Sequence, residues 1–92
     1  MPRPRRSRYI DFCPNVTYFK PRGVPMRDLS VVVLTLEEVE ALRLKNIEGF
    51  DQSKCAESMN TSQSTLQRIL NVAYNKISDA IINGKAIEIL NK

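Results

Sequence analysis

Within the nine residues QSTLQRILN, the chain places Gln63, Ser64, Thr65, Gln67, Arg68 and Asn71, a set of amides, hydroxyls and one guanidinium. An amide presents a donor beside an acceptor, which matches the adenine edge in the DNA major groove. A guanidinium presents two parallel donors, which match guanine. Each such pair is worth about 1–3 kcal/mol of base discrimination. Gln67 stands one helical turn before Asn71 and next to Arg68, so the group shares the outer side of one helix. The bland alternative is the polar face that any amphipathic helix has. Amides and hydroxyls outnumber charges here, which is unusual for a merely solubilising face, and recognition is the favoured reading.

Bond-making chemistry finds little support. The chain has no histidine, and so lacks the commonest general base and the commonest transition-metal ligand. Two cysteines, Cys13 and Cys55, do not supply four zinc ligands. Gly23, Gly49 and Gly84 are isolated and form no phosphate-cradling loop. Glu37, Glu38 and Glu40 fall in the first turns of a helix, where they complement its dipole. A non-enzymatic protein with no cofactor and no metal is expected.

The elements that would position the polar group can be read on both sides of it. Leu66, Leu70, Ala73, Ile77 and Ile81 form one apolar stripe, which predicts a long helix from Gln63 to about Asn83 ended by Gly84. Upstream, Asp51 caps a short helix over Gln52–Met59, and Asn60, Thr61 and Ser62 form a sharp corner. Asn tolerates the left-handed conformation and Ser62 caps the next helix. Cys55, Ala56 and Met59 are sized for close helix approach, with Leu66 and Leu70 as the facing knobs. Short helix, tight turn and longer helix make the helix-turn-helix layout; a plain helical hairpin is the alternative. A further helix is marked by Thr35 and Glu38, a capping box, with Leu34 and Val39 as a hydrophobic staple. It runs from Leu36 to about Glu48 with Ala41, Leu44 and Ile47 on one stripe and Leu42 beside it. Gly49 ends it, and Phe50 plugs the gap.

ALRLKNIEGFDQSKCAESMNTSQSTLQRIL resembles the fourth region of bacterial sigma factors. The opening MPRPRRSRYIDFCPNVTYFKPRGVP, with VVLTLEEVEALRL and GKAIEIL, is similar to a small prokaryotic family of predicted DNA-binding proteins. That family is known as uncharacterised protein family 0251 or domain of unknown function 134. The resemblance implies a DNA-binding protein with a sigma-like helix-turn-helix and no established target. This chain departs from sigma-like proteins at Asn60, where such turns usually have glycine, and at NVAYNK, where arginine is usual.

Charge is distributed unevenly. Residues 1–27 hold seven basic side chains against Asp11 alone, a net of +6, whereas residues 28–92 hold seven against nine acids, a net of −2. A polyanion would be held mainly by the first third, because phosphate neutralisation dominates non-specific affinity. Pro2 and Pro4 keep the opening extended. Arg3, Arg5, Arg6 and Arg8 then project from a thin thread able to follow a minor groove or a phosphate backbone. A solubilising tail is the alternative. On the body, Arg68, Lys54 and Lys76 add the remaining positive charge relevant to DNA.

Arg8–Phe12 and Lys85–Leu90 alternate as short strands, and Val16, Tyr18 and Phe19 are expected to cover the helical core. The expected fold is therefore mainly α. A flexible basic arm over 1–8 precedes one three-helix helix-turn-helix domain over 9–92, similar to sigma region 4, with helices about 36–48, 52–59 and 63–83. A small two-stranded sheet joins the N- and C-terminal segments. The expected function is sequence-specific binding of double-stranded DNA by a transcriptional regulator. One alternative is a protein-interaction module that docks on RNA polymerase or another regulator. Another is single-strand binding through Tyr18, Phe19 and the basic loop. A homodimer is left open. No run of 18 apolar residues predicts a membrane span, and Cys55 at an inward position suits a reduced cytoplasmic thiol.

Overall fold

The computed structural model describes Ile10 and residues 14–90. The basic arm, Cys13 and all of the expected 8–12 strand except Ile10 lie outside those residues; Ile10 itself is in no strand. The described chain is mainly α, with three helices and a small sheet. α1 spans Leu36–Leu42, α2 Gln52–Ser58 and α3 Gln63–Asn83. The strands are β1 (Tyr18–Phe19), β2 (Val31–Leu34) and β3 (Ala86–Ile89).

The sheet has three strands rather than the two expected, and β3 lies in its centre. β1 runs antiparallel to it, pairing Tyr18 with Glu88 and Phe19 with Ile87. β2 runs parallel, from Val31 opposite Ala86 to Leu34 opposite Ile89. A parallel pair needs a long crossover, and all three helices together supply it.

Each helix starts where its local chemistry dictates. The Thr35 hydroxyl accepts from Glu38 N while the Glu38 carboxylate accepts from Thr35 N, at 3.2 and 2.9 Å. Asp51 accepts from Lys54 N at 2.8 Å. Ser62 accepts from Thr65 N at 3.1 Å. Between α2 and α3, Asn60 takes φ 57, and Thr61 N reaches back to Ala56 O at 2.9 Å. The reversal therefore needs only Met59 to Ser62.

Two apolar clusters share α3. Leu66 and Leu70 pack with Ala41, Leu44, Cys55, Ala56 and Met59 between the helices. Ala73 packs farther along with Leu34 and Ile89 beneath the sheet, flanked by Ile77 and Val39. Leu42 touches both clusters.

Three expectations for apolar residues are corrected here. α1 does not continue regularly to Glu48: residues Arg43–Ile47 form a π turn, with Glu48 N bonded to Arg43 O and Phe50 N to Leu44 O. The wider turn breaks the α phase, so Ile47 leaves the stripe and is 80% exposed, while Phe50 plugs the cluster as expected. Ile81 is 71% exposed, and Ala80 takes the buried place instead. At about 100° per residue the two are equally near the stripe in phase. The chain reverses onto the Ala80 side, where Gly84 (φ 66) and Lys85 N both return to Ala80 O. Val16, Tyr18 and Phe19 do not cover the core. Tyr18 and Phe19 form an edge strand, Val16 precedes it, and all three are exposed.

The same reversal is fastened by Asp79, which accepts from Asn83 Nδ2 at 2.6 Å and Lys85 Nζ at 2.9 Å. The Lys85 bond first, then the Asn83 bond, hold its carboxyl below the ordinary carboxylate range. A lowered folded pKa means that this stabilisation is complete above the ordinary Asp value of about 3.9 and is lost as pH falls through the lowered one. Asp79→Asn should therefore have a lower urea midpoint than the parent at pH 7. The gap should close progressively below about pH 4.

Candidate nucleic-acid interface

The corner at Asn60 turns the beginning of α3 outward from α2. Leu66 and Leu70 hold one side of this half fully inside the protein, so residues roughly half a turn away must face solvent. Gln63, Ser64, Arg68 and Asn71 are exposed there, and Thr65 and Gln67 are half-buried. Gln63, Ser64, Arg68 and Asn71 thus share the accessible edge of this half of α3, while Thr65 and Gln67, about 160° apart around the helix, lie towards opposite borders of its buried stripe. Arg3, Arg5, Arg6 and Arg8 lie outside the described residues.

The edge is internally ordered. Ser62 Oγ, besides its capping bond, lies 3.0 Å from Thr65 Oγ1 and 3.2 Å from Ser64 Oγ. Gln67 Nε2 donates to Asn71 Oδ1 at 3.0 Å, one turn on along the same helix. Gln67 Oε1 accepts from Gln52 Nε2 across the corner. Gln52 is the first residue of α2 and was not singled out by sequence. Only the packing of α2 against α3 brings it there, and nothing in its own neighbourhood signals the contact.

Positive charge near this edge is sparser than the sequence suggests. Lys76 is paired: its Nζ lies 2.9 and 3.1 Å from the two oxygens of buried Glu38. Glu38 is therefore more than a dipole partner, since it both caps α1 and anchors α3. Glu40 is likewise buried and receives a two-pronged contact from Arg43, both bonds at 3.0 Å; Arg43 also reaches Glu48 at 3.1 Å. Lys54 remains exposed in the first turn of α2, its Nζ 4.9 Å from the Phe50 ring centre. Arg68 makes no hydrogen bond or ion pair among the described residues.

The remaining chemistry is quiet. Burial pushes the Cys55 thiol up, and Sγ sits 3.7 Å from Phe50 O, so this sulfur is an inert filler rather than a nucleophile. Farther along α3, three residues past Asn71, Asn46 Nδ2 donates to the Tyr74 hydroxyl at 3.1 Å and ties the π turn to the helix. Beside that tie, Val39, Leu42, Ile47 and Ile77 line an open apolar hollow of about 510 Å³. Ile82, 79% exposed, stands near the end of the same helix. No helix among the described residues is long and apolar enough to cross a membrane.

A family model described as Protein of unknown function DUF134 matches residues 1–91. A UPF0251 protein of Thermoanaerobacter pseudethanolicus is 54% identical over 89 residues, covering 97% of this chain and 75% of that protein. A UPF0251 protein of Moorella thermoacetica is also 54% identical over 89 residues, with 97% and 60% covered. One from Dehalococcoides mccartyi is 47% identical over 89 residues, with 97% and 76% covered. No solved structure gives a significant match.

The two cations of α3 make opposite demands on stability. Lys76→Ala leaves the buried Glu38 carboxylate without its cation and should cost about 1–3 kcal/mol in urea unfolding. Arg68→Ala removes an exposed guanidinium and should change stability by less than about 0.5 kcal/mol.

Proposed function

The chain belongs to the DUF134 family of proteins of unknown function. From that premise we propose that it binds double-stranded DNA sequence-specifically, as a non-enzymatic transcriptional regulator. The observation that carries this reading is the edge of α3 itself. A helix whose inner side is locked by Leu66 and Leu70 presents amides, hydroxyls and a guanidinium, unpaired among the described residues, immediately after a sharp corner. That is the equipment of a helix-turn-helix reading the major groove. Gln63, Gln67 and Asn71 suit adenine, Arg68 suits guanine, and Ser64 and Thr65 suit either a phosphate or a base edge.

Affinity has a different source in this reading. Two cations of the helical body are already engaged, Lys76 by Glu38 and Arg43 by Glu40. The arginines at 3, 5, 6 and 8 supply the electrostatic grip, along the minor groove or the phosphate backbone. Division of the two tasks follows from the sequence's charge asymmetry.

A second reading rests on the apolar exposure of Ile47 and Ile82 and the hollow between α1 and α3. These fit a protein partner such as RNA polymerase, another regulator or a second copy of the chain.

Selection of bound duplexes from a random pool at two salt concentrations tests the proposal. A preferred sequence should emerge. Deleting residues 1–8 should then reduce the slope of log affinity against log salt by up to about 3–4. Arg68→Ala should relax preference at one base pair by about 5–150-fold while leaving most of the slope in place. Enrichment of no sequence at either salt, together with retention of a protein partner, would favour the second reading instead.

A further inference from the structure

The hydrogen bonds around Gln67 form a directed relay. Gln52 Nε2 donates to Gln67 Oε1, and Gln67 Nε2 donates to Asn71 Oδ1. A primary amide has two N–H donors and two acceptor positions on its oxygen. The relay uses one of each on Gln67. What is left is one N–H and one acceptor position, the pair that a bidentate contact with adenine consumes. An isolated glutamine can rotate its amide by half a turn and exchange donor for acceptor; this one is held from both sides.

We propose that Gln52 is a positioning residue for base reading: it sets the amide orientation of Gln67 and, through Gln67, that of Asn71. The inference rests on the DNA-binding reading above and adds a residue from outside the reading helix. Gln52 sits at the start of α2, across the corner from α3, so it can act on the preference of Gln67 without contacting a base. The two bonds run in one sense, from Gln52 through Gln67 to Asn71. At the far end Asn71 keeps its Nδ2 donors and one acceptor position on Oδ1, the pair that adenine requires.

Replacement of Gln52 by glutamate would invert the polarity. A carboxylate only accepts, so Gln67 must turn its Nε2 towards residue 52 and its oxygen towards Asn71. Asn71 must in turn rotate to donate. Donor and acceptor are then exchanged along the whole edge while its shape is preserved. Alanine at 52 merely releases Gln67.

The experiment takes the duplex selected by the parent protein and the set of its single-base variants, and measures affinity for each with Gln52→Ala, Gln67→Ala, the double variant and Gln52→Glu. Urea midpoints identify any variant that is unfolded. Gln67→Ala should lose about 5–150-fold of discrimination at one base pair. Gln52→Ala should lose a substantial part of the same discrimination at the same base pair, with no further loss in the double variant and an unchanged salt slope. Gln52→Glu should bind all sequences more weakly, because of its charge, but should prefer a different base there rather than none. Full retention of preference in Gln52→Ala, alongside its loss in Gln67→Ala, would overturn the relay and leave the DNA reading standing. A uniform loss on every duplex in Gln52→Ala would also overturn it. No preferred duplex for the parent would remove the DNA reading and the relay with it.

Discussion

The rotational setting of α3 about its own axis is the constraint on which the rest of the molecule depends. Leu66 and Leu70 fix it at one end, between α1 and α2, and Ala73, Ile77 and Ala80 fix it at the other, against the sheet. A helix of 21 residues spans roughly 30 Å, long enough to belong to two clusters at once. Once both are packed, the outward residues are no longer free to vary. The placing of Gln63, Arg68 and Asn71 in solvent is a consequence of where the leucines and alanines had to go.

Small residues make this tight setting achievable. Ala41, Cys55, Ala56 and Ala73 are all fully or nearly fully buried at points where helices approach one another. The ion pairs then secure what packing has arranged. Glu38 caps α1 and at the same time holds Lys76 on α3, which links two helices through one carboxylate. This engagement has a functional side, because a lysine committed to Glu38 has little left to offer a phosphate. On the proposed reading the body probes shape and hydrogen bonding, and the cationic grip belongs to the first third of the sequence.

Features set by neighbours along the chain are legible in the amino-acid sequence. Thr35 with Glu38, Asp51, Asn60, Ser62 and Gly84 all do what their side chains or conformational freedom require, because capping and reversal act over a few residues. The accessible edge of α3 is legible for the same reason, since one helical period relates it to the buried stripe. Features set by distant partners are not. Val31–Leu34 pairs in parallel with a strand more than fifty residues later, and no local pattern announces that partner. The π turn at Arg43–Ile47 is tied through Asn46 to Tyr74, 28 residues on, and it moves Ile47 out of a stripe that periodicity assigns to it. Lys76 with Glu38 and Gln52 with Gln67 are long-range as well. Sequence therefore finds the exposed polar residues of α3, misplaces apolar residues whose setting depends on distant partners, such as Ile47, and misses the contacts that order or neutralise the polar ones.

The central claim is that the beginning of α3 is the surface that meets the duplex. The most direct measurement is the change in backbone and side-chain amide NMR signals of the full chain on titration with a mixed-sequence DNA duplex at low salt. The account predicts that, within residues 14–90, the largest changes fall between Ser62 and Asn71, including the side-chain amides of Gln63, Gln67 and Asn71. Changes confined to Ile47, Ile82 and the sheet, with residues 62–71 unmoved, would contradict it.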